Sequence, residues 1–147
     1  EVDVFTRATR IAADGQGGLW ILDLESGNPS LYSWNGSLDL LYEHFDEHAG
    51  RSVGLFRGPQ DTPWVCSAGG GVWPVSALAN GAIKPVRLAD TQLDSVVDCG
   101  YDPGSDEFIF FSGDGSVVRL GPDNATEVWL EFPGLVRGRV YHHYPTP

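Results

Sequence analysis

Three aromatic-centred runs recur along this chain at a fixed interval. They are Leu19-Trp20-Ile21-Leu22, Pro63-Trp64-Val65-Cys66 and Glu107-Phe108-Ile109-Phe110. Their central rings, Trp20, Trp64 and Phe108, lie 44 residues apart each time (64 − 20 and 108 − 64). The flanks recur with them. A turn-rich stretch precedes each run: Asp14 to Gly18, Gly58 to Thr62, Asp102 to Asp106. A second β-prone run follows across another turn: Leu31 to Trp34, Gly71 to Val75, Ser116 to Leu120. Further strand-like segments bracket each pair, with Thr9 to Ala13, Ser52 to Phe56 and Ser95 to Gly100 before it. Leu38 to Tyr42, Ile83 to Leu88 and Glu127 to Phe132 come after it. The turns carry the residues that supply positive φ, as in Ala68-Gly69-Gly70 and Gly113-Asp114-Gly115.

Four short strands in a unit of about 44 residues is the period of a β-propeller blade. The fold class read from the sequence is therefore all-β: three consecutive four-stranded antiparallel propeller-like blades in a single domain. Blade 1 covers about 9–50, blade 2 about 51–94 and blade 3 about 95–138, with flanking strands or tails at 1–8 and 139–147. One segment competes between two periods. Leu38, Leu41, Tyr42 and Phe45 have helical spacing, whereas Leu38, Leu40 and Tyr42 alternate as a strand does. The repeat arbitrates for a strand, with a helical turn expected near Glu43 to His48. Each blade is apolar on both faces and needs neighbours, so Trp20, Trp64 and Phe108 are expected between blades. Burial of one such ring is worth on the order of 2–3 kcal/mol. Closure of a ring takes at least four blades. Three leave end faces to cover, by a longer parent chain, a second copy or another subunit, with the flanks Val2 to Arg7 and Val136 to Tyr144 able to add strands.

The residues quoted carry two resemblances. Asp14-Gly15-Gln16-Gly17-Gly18-Leu19-Trp20-Ile21 resembles the D-x-x-G-x-L-W-I signature of two-component-regulator-type propeller repeats, and Gly69-Gly70-Gly71-Val72-Trp73 resembles the glycine-rich turn that follows it. Leu31-Tyr32-Ser33-Trp34-Asn35-Gly36 is similar to the I-Y-R-W-N-G run of tectonin-type lectin propellers. The likeness spans roughly residues 9–132, and the third unit departs from it with Phe108 in place of Trp. The first resemblance implies an extracytoplasmic sensor or binding domain, the second a glycan binder. Neither implies a catalytic residue.

Composition narrows the function classes. The chain has 147 residues, 41% of them hydrophobic, which suits one packed domain. Its net charge is −11, with Lys84 the one Lys among 9 basic residues. No basic cluster exists to follow a phosphate backbone, so nucleic acid is a poor partner, and no apolar run is long enough to span a bilayer as a helix. Met is absent, so a chain beginning Glu1-Val2-Asp3 is expected to be a processed product or a fragment. Scarce Lys, two cysteines and the sequons at Asn35 and Asn124 lean towards a secreted or periplasmic setting.

Chemistry-bearing patterns are few. His44-Phe45-Asp46-Glu47-His48 places His44 and His48 at i, i+4, the spacing of metal ligands on one helical face, without the His-Glu-x-x-His general base. His142-His143 forms a second pair. Asp14, Asp61 and Asp106 occupy corresponding turns and would bind calcium only if they converged; turn capping is the simpler role. No nucleophile elbow, phosphate loop or cofactor motif is present, so no enzyme activity and no cofactor are expected. Cys66 and Cys99 fall on strands expected to face each other across a blade interface, where a disulfide would close a loop of about 33 residues, worth on the order of 3 kcal/mol. Trp34, Asn35 and Tyr42 are the ligand-binding candidates, as an exposed aromatic, an amide and a second aromatic on one blade. The functional expectation is a docking module that binds protein partners, or its own copies, through blade faces; the alternative is glycan binding.

Overall fold

The computed structural model describes residues 8–24, 29–43, 45, 52–89, 95–123 and 126–131, with backbone alone at 8, 9 and 126–131. Twelve strands form three four-stranded antiparallel meanders. Blade 1 contains β1 (Ala8–Ala13), β2 (Leu19–Asp23), β3 (Ser30–Trp34) and β4 (Leu38–Tyr42). Blade 2 contains β5 (Ser52–Arg57), β6 (Pro63–Ser67), β7 (Gly71–Pro74) and β8 (Arg87–Leu88). Blade 3 contains β9 (Val96–Asp102), β10 (Glu107–Ser112), β11 (Ser116–Leu120) and β12 (Thr126–Glu131). The first strand of blade 2, β5, lies against both β1 and β9, so the sheets fan out from a row of first strands. This is the propeller-like arrangement, in three blades and without closure among the described residues.

The 44-residue period is strictest in those first strands. Each carries one bulge, at the residue its pairing skips. These are Thr9 between Ala8 and Arg10, Val53 between Ser52 and Gly54, and Val97 between Val96 and Asp98. A bulge adds local twist and bends its strand, which suits strands that line one edge of a fan.

Two hydrophobic layers hold the blades together. Trp20, Leu22 and Leu31 of blade 1 meet Leu55, Val65 and Trp73 of blade 2. Phe56, Trp64, Cys66 and Val72 of blade 2 meet Cys99, Phe108, Phe110 and Leu120 of blade 3. Strand alternation explains the division: Val65 points back to blade 1, while Trp64 and Cys66 point on to blade 3. Blade 2 is thus apolar on both faces. Cys66 and Cys99 form a disulfide across the second layer, with their Cα atoms 6.5 Å apart.

One expectation holds with a difference of facing, and two need correction. Phe108 is buried between blades like Trp20 and Trp64, but it faces the opposite way. Residues 14–18 separate the pair Ala13–Leu19, and 58–62 separate Arg57–Pro63; residues 102–107 separate Tyr101–Phe108, one more. A one-residue shift in a strand exchanges its faces. Ile109 therefore takes the place of Trp64, and Phe108 turns back to stack near Trp64, ring centroids 5.3 Å apart. Second, the strand expected over Ile83 to Leu88 is confined to Arg87–Leu88, because Pro85 has no N–H to give a ladder. Third, β7 ends at Pro74 and Val75 opens α1 (Val75–Ala79). Val75 and Leu78 of α1 fill the space between the diverging sheets of blades 1 and 2. Leu38 to Tyr42 is a strand, as the repeat required.

Candidate functional site

Blade 1 has one face in the core and one that no described sheet covers. Its register builds two rows across the uncovered face. Ile11, Ile21, Tyr32 and Leu40 pair successively across β1 to β4, and Ala13, Leu19, Trp34 and Leu38 do the same one step along. Residues paired across antiparallel strands share a face, so these eight side chains form one surface. None is charged. Ile11 is 66% exposed, Leu40 47% and Trp34 45%. The alternation that buries Trp20, Leu22 and Leu31 therefore sends an equally apolar set outward.

The ligand candidates divide between the two faces. Trp34 lies on the outward surface. Asn35 follows it in an exposed turn, where its Oδ1 accepts a hydrogen bond from Ser37 Oγ at 3.4 Å and Gly36 takes φ 107°. Tyr42 is on the opposite face, packed against the layer between blades 1 and 2. The cause is local: Leu31 pairs with Tyr42 and Tyr32 with Leu40, so Leu41 is bulged and Tyr42 turns inward. Trp34 and Tyr42 do not form one pocket. His44, His48, Asn124 and the His142-His143 pair lie outside the described residues.

The three turn aspartates do not converge. Asp14 accepts from the backbone N–H groups of Gln16 (2.7 Å) and Gly18 (2.9 Å) in its own turn. Asp61 approaches Arg57 at 3.6 Å. Asp106 belongs to a polar and aromatic knot between blades 2 and 3. Arg87 Nη2 donates to its Oδ2 at 3.0 Å, Arg87 Nη1 to its carbonyl at 2.9 Å, and Tyr101 Oη to its Oδ1 at 2.8 Å. The Arg87 guanidinium also lies 5.0 Å from the centroid of Phe108. The bond from Tyr101, then that from Arg87, hold the Asp106 carboxyl below its ordinary pKa; burial and the same bond raise the Tyr101 phenol. The knot has no nucleophile–base pair and acts as a brace. Sequence reasoning singled out Asp106 as a turn aspartate but missed the knot, because Arg87 sits 19 residues from it and belongs to no motif. Among the described residues no group of three or more His, Cys, Asp or Glu could hold a metal ion, and no helix is long and apolar enough to cross a membrane.

No family model matches the chain, and no curated protein matches it. Similar folds occur among solved structures. A protein of unknown function from Bacteroides thetaiotaomicron superposes with a TM-score of 0.62 at 12% identity, over 85% of this chain and 33% of that one. The structure of YCF48 bound to D1 peptide superposes with a TM-score of 0.47 at 18% identity, over 84% of this chain and 39% of that one. This chain thus spans about a third of the length of the first and two fifths of the second. At 12% identity the first likeness speaks for the fold alone.

Proposed function

We propose that this chain is a non-catalytic binding and assembly module, working in a secreted or periplasmic setting, that docks on other protein chains through the faces of its blades. The observation that carries this reading is the pair of uncharged rows on the outward face of blade 1, with Ile11, Trp34 and Leu40 open to solvent. Leaving that much contiguous apolar surface in water costs free energy that a protein contact recovers. The Cys66–Cys99 bond supports the compartment, since disulfides persist where the surroundings are oxidising.

A photoreactive side chain in place of Ile11 tests the reading in cells that produce the protein. The expected result is adducts with polypeptide from position 11 and none from the exposed Lys84. No polypeptide adduct at position 11 would overturn it. A glycan-binding reading draws on the exposed Trp34 indole beside Asn35, without Tyr42. Binding to a glycan array that Trp34→Ala abolishes would favour that alternative; binding to no sugar would end it.

A further inference from the structure

The chain contains four Asn residues, at 28, 35, 80 and 124. An acceptor of an N-linked sugar needs a Ser or Thr two places on and no proline between. Asn28 is followed by Pro29, and Asn80 has Ala82 where the hydroxyl is needed. Asn124 lies outside the described residues. Asn35-Gly36-Ser37 meets the requirement.

Such a triplet arises easily by chance, but it demands a surface loop. Several separate observations meet that demand. Residues 35–37 form the turn of the hairpin between β3 and β4, closed by the pair Trp34 and Leu38. Asn35, Gly36 and Ser37 are all exposed. The backbone N–H of Asn35 donates to the Ser37 carbonyl at 3.3 Å, and Ser37 Oγ donates to Asn35 Oδ1 at 3.4 Å. The amide and the hydroxyl that a transferase must read together are therefore held side by side. A Cβ built on Gly36, between them, meets nothing within 4 Å, so the space around the turn is open. The turn lies at the end of the sheet and on neither of its faces, so its exposure does not depend on what else lies against blade 1. The Cys66–Cys99 bond belongs to the oxidising compartments in which such a transfer takes place.

We propose that Asn35 is the acceptor of an N-linked oligosaccharide. The donor class is an oligosaccharide carried on a lipid pyrophosphate. Asn35 Nδ2 attacks the anomeric carbon of the first sugar. A C–N bond forms, the C–O bond to the pyrophosphate breaks, and the lipid pyrophosphate leaves with that electron pair. The amide gives up one proton, and nothing is oxidised or reduced. The sugar is bulky and polar, and it takes up the space beside the Trp34 indole that the glycan-binding alternative would offer to a foreign sugar. Ile11, two strands away on β1, stays free for docking. The inference rests on the compartment assigned above and not on the docking contact.

Peptide mass spectrometry of the protein recovered from its own source is the test. The peptide spanning Asn35 should carry a sugar chain rooted in an N-acetylhexosamine. Release of that chain by an amidase in heavy-oxygen water should leave labelled Asp at position 35. Unlabelled Asp at that position with no sugar would be spontaneous loss of ammonia from Asn35-Gly36, and overturns the proposal. Asn35→Gln and Ser37→Ala should each abolish the sugar, and Ser37→Thr should keep it. Circular dichroism establishes that each variant is folded. A sugar on Asn124 with none on Asn35 also overturns the proposal. Bare Asn35 in a chain whose Cys66–Cys99 bond has formed overturns the site and leaves the compartment standing. Bare Asn35 with both thiols free removes the compartment as well.

Discussion

Asp106 shows how one side chain joins two blades. Its φ of 53° lies in the left-handed region, which Asp and Asn tolerate better than most residues. That geometry turns its carbonyl and carboxylate together towards Arg87, while Tyr101 reaches the other carboxylate oxygen. The Asp106 pKa is lowered in the fold, so its contribution to stability is present above the unfolded value of about 3.9 and is lost as pH falls through the folded value. The Tyr101 pKa is raised, so its contribution is present below about 10 and is lost as pH climbs past it. The brace therefore has a plateau between these limits. Asp106 is 48% exposed at its side chain, and water screens the pair, so its worth is at most about 1 kcal/mol. Asp106→Asn retains the backbone conformation and removes the charge. The variant should unfold at a slightly lower temperature than the parent at pH 7, and the difference should shrink below pH about 4. A difference that is constant from pH 3 to pH 7 would show that charge is not the cause.

At the scale of strands and hairpins, the disulfide and Gly54 act as one unit. Gly54 follows the bulge in β5, directly beneath the Cys66–Cys99 bridge. A Cβ added there would lie 2.6 Å from Cys99 Sγ and 3.0 Å from Cys66 Sγ. Gly54→Ala should cost about 1–3 kcal/mol, the usual penalty for overpacking. In a Cys66→Ala/Cys99→Ala background, itself less stable by about 3–4 kcal/mol for a loop of this length, most of that penalty should vanish. Urea unfolding of the four proteins measures the coupling, and an equal cost in both backgrounds would refute it. These elements also show what the sequence made legible. Strand positions were readable, because alternation and glycine turns recur every 44 residues. Facing was not, because it depends on a single residue in a hairpin or bulge. The extra residue before Phe108 reversed that ring, and the bulge at Leu41 reversed Tyr42. Both changes leave the residue types and spacing of the strands untouched. Trp34 was readable as exposed because it ends a strand beside Asn35-Gly36. The outward rows of blade 1 were present in the sequence as Leu19, Ile21 and Tyr32, but only cross-strand pairing shows that they form a surface.

Among the described residues the core is two apolar clusters that share one sheet. Blade 2 belongs to both, and no side chain is common to the two clusters. In stacked repeats of this kind stability is close to a sum of units and the contacts between neighbours. The layers are unequal, because the one between blades 2 and 3 also carries the disulfide and the Arg87–Asp106 brace. The layer between blades 1 and 2 has the hydrogen bond from Arg10 Nε to the Val53 carbonyl, at 2.7 Å on the exposed rim. Weakening the first layer should therefore separate the two in denaturant. Leu22 is fully buried in that layer, and Leu22→Ala should cost about 2–5 kcal/mol there through lost burial and the cavity it leaves. Hydrogen exchange in a urea series, read by peptide, should then show β1 to β4 losing protection at lower urea than β9 to β11. Phe110→Ala strikes the other layer, where the disulfide still limits separation of β6 from β9, and should narrow the gap between the two transitions. If both halves of the Leu22→Ala chain lose protection together, blade 2 transmits the damage across its sheet, and the division into two nearly independent layers is wrong.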